Sequence, residues 1–333
     1  MVFLQLKIIG LIMRCRICKN EIDNKIYIVR EMMLGTREEF KYFECSNCGC
    51  LQIFEIPENI EKFYPSQYYS YKIEISTNHF KKILKRCRNN YSFYQKGSLG
   101  RILNTIAPNK TLNLIGQIKL SIESQILDVG CGAGQILLEL KELGFNNLLG
   151  IDPFIESDIN YSNGLEILKK SIFEINGVYD LIMFHHSFEH IAEQLETLQK
   201  ARALLKDEGT ILIRIPTVSS YAWERYRENW VQLDAPRHFY LHSICSMKLL
   251  ANNAGLRIEK VIYDATEFQF IGSEQYKKDI PLKSENSYYV NMKKSIFSKQ
   301  EIADFKRKTQ ELNAKNLGDS CAFFLRKLIR DEC

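Results

Sequence analysis

The stretch 125-QILDVGCGAGQILLELKELGFNNLLGID-152 decides the fold. It opens with a short apolar run, Ile126 to Val129, that carries Asp128 inside it. Three glycines follow at alternate positions, Gly130, Gly132 and Gly134. Apolar Ile136, Leu137, Leu140 and Leu143 then recur at helical spacing. Gly144 stands where a left-handed cap calls for glycine. A second apolar run, Asn147 to Ile151, ends in Asp152. Strand, glycine loop, helix, strand and acid, in that order, make the nucleotide-binding half of a doubly wound α/β sheet.

The acids choose among nucleotides. The dinucleotide fingerprint is GxGxxG, and the spacing here is GxGxG. Asp128 precedes the loop by two residues, close to where a pyrophosphate would dock on the helix N-terminus. Like charges in a cleft are costly. The same carboxylate suits a cofactor that carries an ammonium and a sulfonium. Asp152, at the tip of the second strand, can accept both ribose hydroxyls. These residues favour S-adenosylmethionine over NAD. DVGCGAG resembles motif I of class I methyltransferases, and Asp152 matches that family's ribose-binding acid. The expected cofactor residues here are Asp128, Gly130, Cys131, Gly132, Gly134, Asp152 and Pro153.

A chain of 333 residues is long enough for about two domains and a full buried core. Hydrophobic content of 45% and charged content of 26% are those of a soluble globular protein. A net charge of +5 allows an anionic substrate without requiring nucleic acid. The apolar leader MVFLQLKIIGLI is too short to span a bilayer and is interrupted by Lys7. No small-residue cleavage site follows it, so it does not read as a signal peptide, and Met13 is an alternative start. No membrane span is expected, and the expected compartment is cytoplasmic.

Four of the ten cysteines form two CxxC pairs, Cys15 with Cys18 and Cys45 with Cys48. Each pair places two sulfurs on one tight turn, and two such turns can close a tetrahedral site around Zn²⁺. Four protein ligands would make that metal structural. Cys50 reads as a bystander. Paired thiols of this kind point to a reducing compartment. The expected zinc-ribbon-like head covers residues 13–56.

A linker, 57–110, is expected to be helical and basic. It carries Lys81, Lys82, Lys85, Arg86, Arg88, Lys96, Arg101 and Lys110, with no acid between Glu74 and Glu123. Phe80, Ile83, Leu84 and Cys87 fall on one helical face. That face is a cradle for an acidic partner or simply a solvated helix. The tyrosines Tyr64, Tyr68, Tyr69 and Tyr71 read as packing for the head, with a substrate groove as the alternative.

The cofactor domain is expected over 111–272. Leu165 to Ser171 is compatible with a third strand, and the Ser171–Ile172 step is placed against the adenine. YDLIMF, 179–184, reads as a buried fourth strand, so His185 and His186 fall beside the cofactor at its carboxyl end. Glu189 and His190 are expected to start a helix that runs to about Leu205 and ends at Asp207-Glu208-Gly209. GTILIRI, 209–215, is a fifth strand, Arg257 to Tyr263 a sixth and Glu267 to Gly272 a possible antiparallel seventh. YDLIMFHHSFEHI also resembles the fourth-strand motif of class I methyltransferases. A C-terminal extension, 273–333, is expected to be largely helical, with Ser298 as a cap.

Tyr221 to Ser243, after the fifth strand, can fold over the cofactor as a lid. Trp223, Tyr226 and Trp230 are its stacking candidates and Arg237 its anion-binding candidate. Methyl transfer is an in-line displacement in which positioning supplies much of the rate. A hydroxyl acceptor also benefits from a base with a pKa near neutrality. Five of the six histidines lie in the two segments nearest the expected pocket, and His238 or His190 is the expected base.

The layout is similar to a recurring bacterial group with a zinc-ribbon head, a class I methyltransferase domain and a DAPRH turn followed by a helix. The resemblance implies a Rossmann-like sheet and an acceptor hydroxyl on a sugar or nucleotide-sugar of surface polysaccharides. Three alternatives stand beside it. One is a polymer methyltransferase that grips RNA or protein with the ribbon and the basic helix. Another is a sugar C-methyltransferase, and the third a scaffold that merely retains the fold.

Overall fold

The strand-forming runs fall into two sheets. The computed structural model describes residues 13–64 and 79–328. In the first, β1 (Lys25–Arg30), β2 (Glu39–Glu44) and β3 (Leu51–Ile53) pair antiparallel. The second is built from β4 (Ile126–Val129), β5 (Leu148–Ile151), β6 (Ile159–Asn160), β7 (Glu166–Leu168), β8 (Tyr179–His185) and β9 (Leu205–Pro216). After β10 (Tyr240–Leu241) come β11 (Leu256–Tyr263) and β12 (Ser320–Lys327), which complete it. Its order is β11-β12-β9-β8-β4-β5-β7-β6, with β7, β5, β4, β8 and β9 parallel. All four residues of β4 and Leu181 to Phe184 of β8 are buried, as strands covered on both faces require. The Rossmann-like sheet of the expected class is present.

Nine helices surround these sheets among the described residues: α1 (His79–Tyr94), α2 (Ser98–Ile106), α3 (Lys110–Ile115), α4 (Gln135–Glu142), α5 (Gln194–Leu204), α6 (Tyr221–Tyr226), α7 (Ile244–Asn253), α8 (Phe268–Lys277) and α9 (Lys299–Ala314). Ser243 caps α7 by accepting from the Ser246 amide. Ser298 and Glu301 form a reciprocal capping box on α9.

Several expectations are corrected here. Glu267 to Gly272 is not a seventh strand; it lies at the start of α8. Gln269 to Ser273 are all buried, so neither face of that segment shows a clear period. The antiparallel strand next to β9 is β12, from the last segment of the chain. The first six residues of β12 are buried, so residue 272 does not bound the sheet. Asp207-Glu208-Gly209 lies inside β9, which begins at Leu205 opposite Tyr179, before an irregularity in the ladder. Glu189 and His190 belong to a separate 3-10 turn, Phe188–His190, and α5 starts only at Gln194.

The head is not a free-standing ribbon. β10 pairs antiparallel with β3, so the segment after Arg237 supplies its fourth strand. The Tyr42 hydroxyl donates to the His238 carbonyl at 2.9 Å, and the Ser243 hydroxyl donates to the Cys48 carbonyl. On α1, Phe80 and Ile83 are exposed while Leu84 and Cys87 are half-buried. The buried residues of that helix are instead Asn89, Ser92 and Phe93, toward its C-terminal end. Tyr68, Tyr69 and Tyr71 lie outside the described residues.

Candidate functional site

Strand order reverses at β4, with β5 on one side and β8 on the other, so the loop after β4 opens into the crevice where ligands of such sheets bind. Gly130 and Gly134 take left-handed φ of +71° and +80°, and Gly134 caps α4. A Cβ on Gly130 would meet the Ser187 Cβ at 2.5 Å, and one on Gly134 would meet the Ile167 Cδ1 at 2.5 Å. Only glycine lets the loop close against β7 and the turn after β8. The Ser187 hydroxyl completes that closure by donating to the Val129 carbonyl at 2.6 Å.

Asp152 accepts from the amides of Gly132 and Phe154, both at 2.9 Å. Each oxygen keeps a further lone pair for a ribose hydroxyl. Asp128 is buried, and its Oδ1 has no hydrogen-bond partner among the described residues. Burial, then the charge of Asp152, pushes the Asp128 carboxyl up to about 8. Burial raises Asp152 as well. Two buried acids without a counter-charge are costly. A ligand bearing a sulfonium and an ammonium would lower that cost, so the residues present fit S-adenosylmethionine.

The other expected cofactor residues divide. Cys131 is half-buried in the glycine loop, and burial raises its thiol. Pro153 is exposed at the mouth. His185 ends β8 with both ring nitrogens buried and unpartnered; burial, with Arg214 nearby, lowers its pKa well below the ordinary value. His186 is half-exposed at a left-handed φ of +51°. Ser171 spends its amide and hydroxyl protons on Glu174 as a cap, and Ile172 is buried in the main core. Neither offers a free side-chain donor to an adenine.

The expected acceptor residues are corrected by their burial. Trp230 is 0% exposed and donates through Nε1 to Asp319 at 2.9 Å. Trp223 lies edge-on to Tyr27, and Tyr226 donates its hydroxyl to Glu274 at 2.8 Å. These rings pack the head and α8 onto the sheet, so they present no face to a ligand. Arg237 is 0% exposed as well. It pairs with Asp234 and Glu31 and donates to the Phe63 carbonyl. Its charge balances two carboxylates instead of a substrate.

His190 and His238 do meet at the site. Their ring centroids are 4.8 Å apart. His238 Nε2 lies 3.9 Å from Glu189 and 3.8 Å from Asp234. Burial, then the neighbouring His238, lowers His190 to about 4. Burial disfavours the charge of Glu189, but His186, His190 and His238 outweigh it and hold the carboxyl at about 2. His186 reaches Glu189 at 3.5 Å, an ion-pair contact that leaves both Glu189 oxygens without a hydrogen bond. Glu189 was not singled out from the sequence; an acid beside a histidine just past the fourth strand was the available signal. The fifth histidine, His242, is fully buried between Gln194 and Ser246.

In the head, the Sγ atoms of Cys15 and Cys48 are 3.6 Å apart and those of Cys18 and Cys45 are 3.4 Å apart. All four sulfurs lie within 4.8 Å of one another. A disulfide needs about 2.05 Å. Four thiolates at about 2.3 Å from one Zn²⁺ would stand about 3.8 Å apart, so the cluster fits that ion. Cys50 is buried outside the group. A cleft lined by Gln199, Arg202, Asn253 and Gly255 lies at the amino ends of β9 and β11, the edge opposite the glycine loop.

A glycine loop at the switch point of a parallel sheet, backed by two buried acids, defines a class I S-adenosylmethionine-dependent methyltransferase site. Residues 92–261, about half of the chain, match the methyltransferase-domain family, and the chain belongs to that family. It is similar to EEF1A lysine methyltransferase 2 of Homo sapiens, 29% identical over 105 residues, which are 31% of this chain and 41% of that protein. It is also similar to the ubiquinone biosynthesis O-methyltransferase of Rickettsia bellii, 24% identical over 228 residues, which are 62% of this chain and 92% of that one. The chain thus spans under half of the human relative and nearly all of the bacterial one. Among solved structures, a SAM dependent methyltransferase from Archaeoglobus fulgidus is 19% identical, covering 75% of this chain and 100% of that chain at a TM-score of 0.42.

Proposed function

We propose that the chain transfers the methyl group of S-adenosylmethionine to a hydroxyl of a small acceptor, a sugar or nucleotide-sugar. The observation that carries the cofactor half is the orphaned Oδ1 of buried Asp128 beside the glycine loop. In the step itself, an acceptor oxygen lone pair forms the new O–C bond. The S–C electron pair stays on sulfur, which becomes a neutral thioether. The hydroxyl proton passes to a ring nitrogen of His238 or His190. The resulting imidazolium is stabilised by Glu189 and Asp234. The name of the Rickettsia relative supports oxygen as the atom methylated. The sugar rests on the overall layout of head, sheet and DAPRH turn.

This reading includes a structural Zn²⁺ held by Cys15, Cys18, Cys45 and Cys48, and a cytoplasmic, reducing setting in which those thiols stay unoxidised. No helix among the described residues is long and apolar enough to cross a membrane. A second reading is a polymer acceptor, favoured by the basic α1, whose Lys82 and Arg86 are exposed. Labelled-methyl transfer from S-adenosylmethionine to a panel of nucleotide-sugars tests the first reading. Transfer to RNA or protein alone, weakened steeply by salt, would overturn it in favour of the second. Calorimetry tests the cofactor half separately: Asp128→Ala binding S-adenosylmethionine as tightly as the unmodified chain would refute it.

A further inference from the structure

We infer that Glu189, His190 and His238 form a binding site for one divalent transition-metal ion, separate from the four-cysteine cluster. One ring nitrogen of each histidine and a Glu189 oxygen lie within 4.8 Å of one another. His238 Nε2 and Glu189 Oε1 are 3.9 Å apart. Two ligands at tetrahedral angles about 2.1 Å from a shared ion stand about 3.4 Å apart, so ion binding closes this pair by roughly half an ångström and the widest pair by up to about 1.4 Å.

Glu189 is the buried carboxylate of the cluster. It is 0% exposed, and neither oxygen has a hydrogen-bond partner among the described residues. Glu31 shows what this chain does with a carboxylate buried for structure. It too is 0% exposed, but it accepts from the amides of Leu34, Gly35 and Thr36, from the Thr36 hydroxyl and from Arg237. A buried charge left without such partners is strongly unfavourable. The charged partners within 4 Å of the Glu189 carboxylate are imidazoles, His186 at 3.5 Å and His238 at 3.9 Å.

The tautomers of those imidazoles sharpen the point. His238 Nδ1 lies 2.7 Å from the Gln232 carbonyl, and His190 Nδ1 lies 2.8 Å from the Arg237 carbonyl and 3.1 Å from the Tyr64 hydroxyl. A carbonyl only accepts, so the proton of each neutral ring is on Nδ1 and the lone pair on Nε2. At His238 that lone pair faces the Glu189 carboxylate at 3.9 Å and the Asp234 carboxylate, which Arg237 already pairs, at 3.8 Å. Acceptor faces acceptor, and a positive group belongs between them. Backbone carbonyls that fix the distal ring N–H are also the usual outer support of metal-bound histidine. A proton on His238 would satisfy one pair. A metal ion satisfies both rings and the carboxylate together. Two imidazoles and one carboxylate make the donor set of ions that retain open coordination positions. His190 keeps partial exposure, so the cluster has a way in.

This site replaces the imidazole base proposed above with a metal ion, and it rests on the methyl-transfer reading only for what the ion does. It would bind the acceptor hydroxyl as a Lewis acid and lower its pKa, as metal ions do for bound water. The hydroxyl proton would then go to solvent in place of an imidazole, and the bonds made and broken are unchanged.

The test uses the full chain loaded with zinc at its cysteines and titrated with Mn²⁺, an ion that thiolates bind poorly, with free Mn²⁺ followed by electron paramagnetic resonance. One Mn²⁺ per chain is expected. Glu189→Gln should weaken binding at least about 100-fold, beyond the effect of losing an outer-sphere partner. His238→Gln is the second variant, expected to weaken it in the same way. Retained S-adenosylmethionine affinity shows that either variant is folded. No bound Mn²⁺ in the unmodified chain, or equal affinity in a folded variant, overturns the site. Methyl transfer that persists without bound Mn²⁺ would leave the proposed function standing while the metal site fails.

Discussion

The cysteine cluster of the head and the Glu189–His190–His238 cluster of the crevice both converge tightly enough for a metal, yet they are assembled differently. The cysteines come as two CxxC pairs, each closed by its own turn, with hydrogen bonds such as the Gly49 amide to the Cys45 carbonyl at 2.8 Å. Local spacing alone brings each pair of sulfurs together, and only the pairing of β1, β2 and β3 remains to join the two turns. The crevice cluster has no such local code. Glu189 and His190 arrive on the turn after β8, and His238 arrives on the segment leading to β10. The Arg237–Glu31 pair and the β3–β10 ladder set where that segment lies. A chelating motif in sequence therefore marks ligand pairs that are set locally, whereas a site built across elements depends on packing elsewhere in the chain.

The contrast can be broken most forcefully at the head. Cys45→Ser should lose stoichiometric zinc and with it most of a binding free energy of order 10 kcal/mol, seen as metal loss and a large fall in Tm. Full metal retention would mean that the cysteines do not act together. Arg237→Met comes next. It leaves Glu31 and Asp234 without their shared cation, and a loss of about 3–5 kcal/mol is expected in urea unfolding. A stable Arg237→Met protein with only a raised acceptor KM would return Arg237 to the substrate and weaken the comparison. Trp230→Phe removes the donor to buried Asp319, whose carboxyl is raised to about 7 by burial against that hydrogen bond. A loss of about 1–3 kcal/mol with unchanged kcat/KM is expected; a selective loss of kcat/KM would restore the aromatic lid.

The smallest effect is a proton count at Asp128. Its folded pKa of about 8 lies above the ordinary carboxyl value of 3.8, so the folded, ligand-free chain holds a proton that the unfolded chain has released. The unfolded state binds fewer protons between those values, and this group's contribution to stability is full at acid pH and falls as pH rises from about 4 to 8. A cationic cofactor favours the ionised form. Binding S-adenosylmethionine at pH 7 should therefore release about one proton, measured by calorimetry in two buffers of different ionisation enthalpy. Asp128→Asn should release none, and equal release by both proteins would remove the electrostatic argument.

The cofactor half of the crevice could be read from residues because its parts are consecutive. Asp128, the three glycines, α4 and Asp152 form one strand–loop–helix–strand unit, and the left-handed backbone that calls for glycine lies within it. The acceptor half misled for a physical reason. Trp223, Tyr226 and Trp230 are large apolar side chains beyond the fifth strand, and large apolar side chains serve a pocket and a core equally well. Their burial against Tyr27, Asp319 and Glu274 required the head and β12 to be in place.

What the chain's sequence determined by itself was the set of short-range constructions: strand period, the glycine loop, the helix caps at Ser243 and Ser298, and the two thiol knuckles. Each depends on backbone conformation and on neighbours within a few residues. Tertiary structure alone decided that the last segment enters the main sheet, that β10 joins the head, and that Arg237 faces Glu31 and Asp234. These are long-range pairings, fixed by which buried charges and strand edges find partners once the core has closed.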